Sequence, residues 1–443
     1  MPERMEQIAK EVVRHLEQSG YEAYFVGGCV RDKWLGRPLK DIDIATSAKP
    51  DEVMRLFDKT VPTGLKHGTV TVVMDGCAFE VTTFRKESEY ERFRRPKSVE
   101  FVSDLHEDLL RRDFTMNAMA LDSGGRWIDP FGGRSDLERG VLRCVGDPEQ
   151  RFREDALRMM RCIRFAAEYG LAVEERTWAA LKANASLIRH VAMERVGAET
   201  EKIVEGRDPD TGLRLLAESG LMPHFKFPLD MPVPSAGDDT GSRSACRLAE
   251  LRDAPLRWTY WLIAAGRDPE AAKHILSGLK LPGAKIDRIL RPLQVRQWMN
   301  ERFAKAGEAV DAGCAPEAVE NELREAVAES AVLFGKRATA DWLVLLRHEQ
   351  NCAPEGGQRD AAAVLRSHTS CRGPDWIEQM PVSELNELAV GGDDLMRALK
   401  APAGPWIGRT LRSLLVDVAA GRLPNERDVL LEAAKTRAKR ERI

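Results

Sequence analysis

The stretch Asp41-Ile42-Asp43-Ile44-Ala45, together with Gly27-Gly28-Cys29-Val30-Arg31-Asp32 before it, decides the fold of the first part of the chain. Residues 23–26 predict a short strand that ends in the glycine turn, residues 29–35 a short helix, and residues 41–45 a second strand. Because side chains alternate along a strand, Asp41 and Asp43 are expected on one face, with Ile42 and Ile44 in the core.

The aspartate pair and the glycine turn have the chemistry of a nucleotidyl transfer site. Two carboxylates about 7 Å apart along a strand are hard oxygen ligands suited to Mg²⁺. A glycine turn that begins a helix offers backbone N–H groups to a phosphate. Alone, each feature has an ordinary explanation, since Asp-x-Asp is usually a solvated strand edge and Gly-Gly a simple turn. In this order and so close together, they favour metal-dependent nucleotidyl transfer.

The composition is that of a globular protein. The chain has 443 residues, 43% apolar and 31% charged, which suits two to four domains. No segment approaches the ~20 apolar residues of a membrane span, and the charged N-terminus is unlike a signal peptide, so a cytoplasmic protein without a membrane partner is expected. The eight cysteines form no Cys-x-x-Cys pair, which favours reduced thiols. Because the net charge is only −3, nucleic acid would have to bind to local basic patches.

The pattern of the chain changes near residue 146. Before it, residues 5–19 predict an amphipathic helix. The further strands predicted before it are 69–74, 78–84, 99–103 and 141–145. After it, residues 149–169 predict one long helix, helical periodicity dominates and no clear strand remains. Residues 226–244 and 351–374 predict loops. The expected fold class is therefore α+β, with a head of mixed β-sheet and helices followed by an all-α remainder.

Charged residues on neighbouring elements extend the candidate site. Glu80, on the strand predicted at 78–84, could complete the metal site, although a surface carboxylate explains it equally well. Arg112 and Asp113 could bind the sugar and phosphate of a nucleotide, because a 2′-hydroxyl both donates and accepts hydrogen bonds. A capped surface helix is the alternative explanation of that stretch.

The helix predicted at 149–169 carries a second candidate cluster. Asp155 and Arg158 are three residues apart and are expected side by side on this helix, where a simple salt bridge is the ordinary explanation. Arg161 and Arg164 continue the row, so that the cluster extends over about 13 Å at 1.5 Å per residue. This is similar to the distance from a base to its triphosphate.

An Asp/Arg pair also has the chemistry to select bases. Cytosine and adenine each present an amino donor beside a ring-nitrogen acceptor, which match a carboxylate and a guanidinium. Uracil and guanine present a carbonyl oxygen to the carboxylate, so unpaired polar groups would reject them. Asp155 and Arg158 could thus accept C and A without a template.

Together these motifs resemble those of the class II tRNA nucleotidyltransferases, the CCA-adding enzymes of the poly(A) polymerase superfamily. The matching stretches are 27–32, 41–43, 111–118, 129–133 and 154–158. Glu194-Arg195-Val196 with Glu199 resembles the last shared motif of the family, which helps to hold the neck in shape. The C-terminal stretches 392–395, 404–408 and 421–425 resemble the tail of the bacterial branch.

The resemblance implies a domain order and a set of roles. It implies a nucleotidyltransferase head over residues 1–146, a helical neck over 147–205, a helical body over 206–330 and a tRNA-binding tail over 331–443. Asp41 and Asp43 would be catalytic and would hold Mg²⁺. The nucleotide-binding residues would be Gly28, Arg31, Arg112, Asp155, Arg158, Arg161 and Arg164. The implied reaction adds C, C and A to the 3′ end of tRNA from CTP and ATP, and the dimers of the family make a homodimer plausible.

Complete CCA addition has four alternatives. CC-adding relatives lack a loop that is present here at 85–96, which argues against CC-only addition. This loop does not separate a complete CCA-adding enzyme from an A-adding tRNA nucleotidyltransferase or a bacterial poly(A) polymerase. From a different class, a catalytically silent RNA-binding protein is disfavoured by the intact carboxylates and arginines. The basic stretch 435–443 is typical of a solvated end and could also contact tRNA phosphates.

Overall fold

The structure is a computed structural model that describes residues 2–87, 90–91, 95–96, 99–232, 247–352 and 360–441. Its contacts divide the chain into two compact units, residues 1–230 and residues 231–443. All the strands lie in the first unit, and the described part of the second unit is helical. The α+β fold class predicted from the sequence is confirmed.

The strands of the first unit form one large sheet and three small pairs. Their bounds are β1 (Ala23–Val26), β2 (Asp43–Thr46), β3 (Thr60–Gly64), β4 (Thr69–Met74), β5 (Cys77–Thr83), β6 (Arg85–Glu87), β7 (Tyr90–Glu91), β8 (Arg95–Pro96), β9 (Val99–Phe101), β10 (Ala120–Leu121), β11 (Trp127–Ile128), β12 (Val141–Leu142) and β13 (Ala172–Val173). The large sheet has the order β11-β10-β1-β2-β5-β4-β3. In it β2 and β5 are parallel, whereas the other neighbours are antiparallel.

Helices follow and connect the strands of the first unit and make up the regular structure in the described part of the second unit. In the first unit they are α1 (Pro2–Gln18), α2 (Gly28–Trp34), α3 (Pro50–Leu56), α4 (Leu105–Leu110), α5 (Gly133–Glu138), α6 (Pro148–Glu154), α7 (Leu157–Tyr169), α8 (Glu175–Ala183), α9 (Met193–Glu205) and α10 (Pro209–Glu218). In the second unit they are α11 (Ala254–Ala264), α12 (Pro269–Gly278), α13 (Gly283–Asp311), α14 (Pro316–Phe334), α15 (Lys336–Asn351), α16 (Ala361–Glu378), α17 (Gly392–Leu399), α18 (Pro405–Ala419) and α19 (Arg427–Glu441).

Local sequence signals account for many of these boundaries. Asp208 and Asp268 each accept a hydrogen bond from a backbone N–H in the first turn of α10 and α12, and a proline follows each of them. Such a cap satisfies a donor that the helix leaves open, and proline fits the first turn because it lacks an N–H. Gly170 ends α7 in the left-handed conformation that glycine adopts without strain.

The strand predictions were confirmed best where the strands belong to the large sheet. Residues 23–26 and 69–74 match β1 and β4, and 78–84 matches β5 within one residue. The strand predicted at 41–45 begins only at Asp43, so Asp41 precedes it. The strands predicted at 99–103 and 141–145 are shorter, since β9 and β12 end at Phe101 and Leu142.

Two predictions for the later part of the chain are wrong. A strand does follow residue 146, because β13 pairs in parallel with β12; two-residue strands depend on such tertiary pairing rather than on periodicity. The loop predicted at 351–374 is largely replaced by α16, where Gly373 and Pro374 lie inside the helix. A Cβ on Gly373 would lie 2.6 Å from Leu343, so this glycine permits close helix packing. In the loop predicted at 226–244, residues 226–232 contain no helix or strand, and the rest lies outside the described residues.

The C-terminal stretches that resemble the family tail build local structure. Gly404 leads into α18, and a Cβ there would lie 3.1 Å from Cδ1 of Trp406. The indole N–H of Trp406 donates to the carbonyl of Pro402 at 2.9 Å. Asn425 donates to the carbonyl of Glu387 and accepts from the N–H of Ala389, each at 2.8 Å. These residues therefore stabilise the packing of α17, α18 and α19 within the second unit.

Two further expectations concern membranes and cysteines. Within the described ranges, every helix is too short or too polar to span a membrane. Cys352 is disulfide-bonded, so the prediction of reduced thiols is wrong for this residue. The cysteines at 29, 77, 144, 162, 314 and 371 are free thiols, as predicted. A disulfide depends on the distance between two side chains in the folded chain, which sequence spacing does not give.

Candidate active site

The glycine turn after β1 lies directly against the aspartate strand. Gly27 has a φ of 74° and precedes α2, which begins at Gly28. A Cβ on Gly27 would lie 3.0 Å from Nη1 of Arg112 and 3.8 Å from Oδ2 of Asp43. Glycine is needed here for both reasons, since other residues rarely adopt this φ and the side chain would fill space taken by Arg112.

The two aspartates lie at the start of β2, as the sequence predicts. Asp43 is half-buried and pairs in register with Val26 of β1 and Glu80 of β5. Ile42 and Ile44 are buried in the core, which confirms the predicted alternation. Asp41 is exposed and lies just before the strand. Both aspartates line one cavity of about 670 Å³.

The electrostatics of this cavity suit a cation. Burial, and then the negative charges of Glu80 and Asp41, raise the pKa of Asp43 above its ordinary value, whereas Arg112 lowers it. Carboxylates that repel each other in a partly buried site are stabilised by a divalent ion, and Mg²⁺ is commonly held by one or two carboxylates together with substrate phosphates. The donor set of Asp41 and Asp43 therefore fits this ion.

Glu80 does not complete a three-residue metal cluster. In the part of the chain that the structure describes, no three His, Cys, Asp or Glu side chains converge to hold a metal ion. Glu80 is exposed and adds negative charge beside Asp43. Any metal site here rests on the two aspartates.

The same cavity brings together residues of the predicted head and of the predicted neck. Gly28 and Arg31 of the glycine turn line it, and so does Arg164 of α7. No sequence motif indicated the other cationic and aromatic residues of its wall, which are Arg37, Lys40, Tyr169, Lys202 and Arg207. The spacing of Arg161, Phe165 and Tyr169, four residues apart on one face of a helix, is a signal that could have identified Tyr169.

The remaining predicted residues lie outside the described wall of this cavity. They are Glu80, Arg112, Asp113, Asp155, Arg158 and Arg161. Arg112 nevertheless lies against Gly27 and Asp43, at the inner end of the site. Its Nη2 donates to the buried carboxylate of Asp108 at 3.1 Å, which fixes the side chain in this position.

Asp113 is held by protein donors. Its Oδ1 accepts from the N–H of Phe114 at 2.9 Å and from Nδ2 of Asn117 at 3.1 Å. Its Oδ2 accepts from Nη2 of Arg161 at 2.6 Å. Despite its burial, the charges of Arg161 and Arg158 and the hydrogen bonds from Asn117 and Arg161 lower the pKa of Asp113 to about 2. Asp113 and Arg161 thus form an ion pair between the head and the neck helix α7.

The single helix predicted at 149–169 is wrong, because the chain breaks at Asp155. Asp155 is extended, with φ −136° and ψ 104°, and separates α6 from α7. Its Oδ1 accepts from the N–H of Leu157 at 3.1 Å, and its Oδ2 accepts from Nη2 of Arg195 at 2.9 Å. An aspartate that bonds to nearby backbone competes with the helix in this way.

Arg158 consequently does not share a helix face with Asp155. It is buried in the first turn of α7, where its Nη1 donates to Glu154 at 2.7 Å. Its Nη2 donates to the carbonyl of Arg111 at 2.9 Å, which ties the neck to the head. Arg195 belongs to the motif that the resemblance assigns to the shape of the neck, and Glu199 of the same motif accepts from Nε of Arg164 at 2.6 Å.

The loop at 85–96 is only partly described. The backbone forms β6, β7 and β8, while residues 88–89 and 92–94 lie outside the described residues. The prediction that this loop separates the chain from CC-adding relatives is not tested by the structure.

Comparison with known proteins identifies the family. The poly A polymerase head domain matches residues 23–143, the probable RNA and SrmB-binding site of polymerase A matches 170–229, and a putative tRNA nucleotidyltransferase domain 2 matches 373–434. The CCA-adding enzyme of Limosilactobacillus fermentum is 38% identical to this chain, over 96% of each. That of Geobacillus kaustophilus is 40% identical, over 94% of this chain and 93% of the relative. The chain belongs to the family of CCA-adding enzymes.

Solved structures of this family share the fold. The crystal structure of the Bacillus stearothermophilus CCA-adding enzyme in complex with CTP has a TM-score of 0.74 and 35% identity, and the match covers 98% of each chain. The Thermotoga maritima CCA-adding enzyme complexed with tRNA is 21% identical with a TM-score of 0.59 and shows the fold alone. The resemblance to CCA-adding enzymes that the motifs indicated is therefore confirmed.

Proposed function

We propose that this protein adds C, C and A to the 3′ end of tRNA, using CTP and ATP without a template and releasing diphosphate. The observation that carries the proposal is the cavity in which Asp41, Asp43, Gly28 and Arg31 of the head meet Arg164 of the neck. The likeness to CCA-adding enzymes extends over nearly the whole chain, including the tail.

Asp41 and Asp43 would hold Mg²⁺ in this proposal. When bound, the ion supplies positive charge for the triphosphate and lowers the pKa of the attacking 3′-hydroxyl. The crowding of carboxylate charge around Asp43 supports a cation at this place. Gly28 would contact the triphosphate through its backbone, and Arg31 through a guanidinium that lies 3.4 Å from the position of a Cβ on Gly28.

Asp155 and Arg158 would read the base, with Arg112 near the ribose and Arg161 and Arg164 completing the pocket. A carboxylate has about four acceptor sites, and Asp155 uses part of them for Leu157 and Arg195. An oxygen of Asp155 can therefore still accept from the amino group of cytosine or adenine. Arg195 would hold that oxygen in place.

The remaining parts of the proposal concern the domain boundaries, the location in the cell and the oligomeric state. The head over 1–146, the neck over 147–205, the body over 206–330 and the tail over 331–443 remain predicted divisions, with tRNA along body and tail. A cytoplasmic location follows from the tRNA substrate. The homodimer stays a prediction that size-exclusion chromatography with light scattering would test.

The deciding experiment uses three tRNA transcripts that end before CCA, after C and after CC. Each is incubated with Mg²⁺ and with CTP, ATP or both, and product lengths are measured on a sequencing gel. Three additions to the first transcript, and no more, support the proposal. Addition of A to the CC-ended transcript alone would show an A-adding enzyme, and a long A ladder would show a poly(A) polymerase; either result refutes complete CCA addition.

A further inference from the structure

Tyr169 occupies a position that none of the motifs explains. It is the last residue of α7, and its half-buried ring lines the cavity that contains Asp41 and Asp43. The guanidinium of Arg31 lies 4.4 Å from the centre of this ring, and that of Arg37 lies 4.3 Å from it. One aromatic ring of the neck is thus held by two cations of the head.

The hydroxyl of Tyr169 makes a contact of its own. It donates to Oδ1 of Asp32 at 3.1 Å. Asp32 in turn accepts from Arg31 through both oxygens, from Nε and from Nη2, each at 3.0 Å. A bidentate pair of this kind fixes the plane of the guanidinium. The tyrosine therefore supports the carboxylate that orients Arg31.

Further contacts hold the guanidinium of Arg31 in a single orientation. Its side chain is buried, and Nη1 donates to Oδ1 of Asn117 at 2.6 Å. Of the five N–H groups of a guanidinium, three point to Asp32 and Asn117. Its Nη2 also faces Gly28, at 3.4 Å from where a Cβ would be. In this orientation Nη2 lies beside the glycine turn, where its remaining N–H group can donate to an anion.

Packing alone would not require a hydroxyl at Tyr169. A phenylalanine would keep the ring between Arg31 and Arg37 but would leave Asp32 without one of its donors. Burial raises the pKa of Tyr169 to about 12, so the hydroxyl keeps its proton and remains a donor at physiological pH.

We propose that Tyr169 is a positioning residue for the triphosphate, acting through Asp32 to hold Arg31 toward Gly28. The inference rests on the proposed function in one respect, that Arg31 binds the triphosphate of the incoming nucleotide. The new element is that Tyr169 affects the affinity for the phosphates from a distance, through Asp32 and Arg31, without contacting Asp41 or Asp43.

This role predicts an effect that is the same for both nucleotides. Arg158 and Tyr169 are eleven residues apart on α7, about 16 Å at 1.5 Å per residue. Loss of the Tyr169 hydroxyl should therefore weaken CTP and ATP equally and leave base choice unchanged. A residue that acted on the base would change the ratio of C to U incorporation instead.

The test compares Tyr169→Phe with Tyr24→Phe in the full-length protein. Tyr24 is a matched control, because its hydroxyl also donates to a carboxylate, that of Glu22 at 3.3 Å, and it lies outside the cavity wall. Steady-state kinetics are measured with CTP on tRNA lacking CCA and with ATP on tRNA ending in CC. For Tyr169→Phe, KM should rise about 5- to 10-fold for both nucleotides, as expected for one lost hydrogen bond, with kcat within about twofold.

The ratio of C to U incorporation should stay within the error of the assay, and Tyr24→Phe should match the wild type. In an Asp32→Ala background, Tyr169→Phe should add little further loss, because without the carboxylate the hydroxyl has no group through which to act on Arg31. An unchanged KM, or a KM that rises for one nucleotide only, would overturn the proposal. A fall in kcat with unchanged KM would also overturn it.

Calorimetric titration with CTP and with cytidine separates this inference from the proposed function. Tyr169→Phe should weaken the binding of CTP by the same 5- to 10-fold and leave the binding of cytidine unchanged. Equal weakening of both ligands would refute the phosphate role. If the wild type adds no nucleotide to tRNA, the proposed function fails, while the CTP titration still decides for or against Tyr169.

Discussion

Replacing Asp113 by Asn tests whether the pair of Asp113 and Arg161 holds the neck helix on the head. The substitution keeps the shape of the side chain but removes its charge. An amide can still accept from the N–H of Phe114 or from Asn117. It cannot offer a charged oxygen to Arg161, so a guanidinium in the head–neck contact loses its partner.

The size of the effect follows from the pKa of Asp113. Its value of about 2 lies below the ordinary 3.8, a difference worth about 2 kcal/mol, since one pKa unit is about 1.4 kcal/mol. The side chain of Arg161 is 33% exposed, so water can solvate its charge when Asp113 is replaced. The expected loss of stability is therefore about 2 kcal/mol, below the 3–5 kcal/mol typical of breaking a fully buried ion pair.

Hydrogen exchange in the full-length protein measures the loss of local stability in α7 itself. The slowest amides of α7 should exchange roughly 30-fold faster in Asp113→Asn at pH 7, which corresponds to about 2 kcal/mol. Asp147→Asn is the control, because Asp147 forms an exposed pair with Arg176. Such surface pairs contribute about 1 kcal/mol or less, so exchange in α7 should stay near that of the wild type.

The pH dependence gives a second readout with a defined sign. Because the folded-state pKa of Asp113 is lowered, its stabilising contribution is complete above about pH 4 and is lost as the pH falls toward 2. The difference in thermal midpoint between wild type and Asp113→Asn should therefore shrink between pH 5 and pH 3. Equal exchange of α7 in both proteins at pH 7, or a midpoint difference that grows on acidification, would refute this reasoning.

Three further predictions concern the site and the packing of the first unit. Asp41→Ala or Asp43→Ala should abolish nucleotide transfer to tRNA with little change in thermal midpoint, and retained activity in either variant would contradict the metal assignment. Asp155→Ala should let U be incorporated while transfer of C continues, as measured with single nucleotides on tRNA lacking CCA; unchanged selectivity would count against the base-reading role. Gly133→Ala should destabilise the first unit by about 3 kcal/mol or more, because its Cβ would lie 2.2 Å from the carbonyl oxygen of Thr115. Gly283→Ala meets no atom within 4 Å and should leave the denaturation midpoint nearly unchanged.

The parts of the fold that sequence patterns predicted are those set by near neighbours. β1, the glycine turn, α2 and the apolar side chains beside Asp43 all depend on periodicity or turn chemistry within a few residues. Asp43 could be placed for the same reason, because a strand fixes which of its side chains share a face, whereas Asp41 precedes the strand.

The features that were missed depend on distant partners. The break at Asp155 is held by Arg195, forty residues later, and no local pattern distinguishes it from a continuous helix. Gly373 and Pro374 resemble loop residues, but Leu343 of another helix requires the glycine. The hydroxyl of Tyr169 donates to Asp32, which lies 137 residues earlier in the chain. Each of these contacts exists only after the chain has folded.

The three arginines around Phe165 have a consequence for the synthesis of the chain. Arg31, Arg161 and Arg164 all lie within 5.6 Å of the ring centre of Phe165. Asp32 and Asp113 neutralise the first two and precede α7, whereas Glu199, the partner of Arg164, emerges from the ribosome thirty-five residues later. At roughly 5–20 residues per second, the nascent neck spends seconds with an uncompensated cation on its site-facing side. The growing chain therefore completes the wall of the cavity that contains Asp41 and Asp43 only when α9 has been translated.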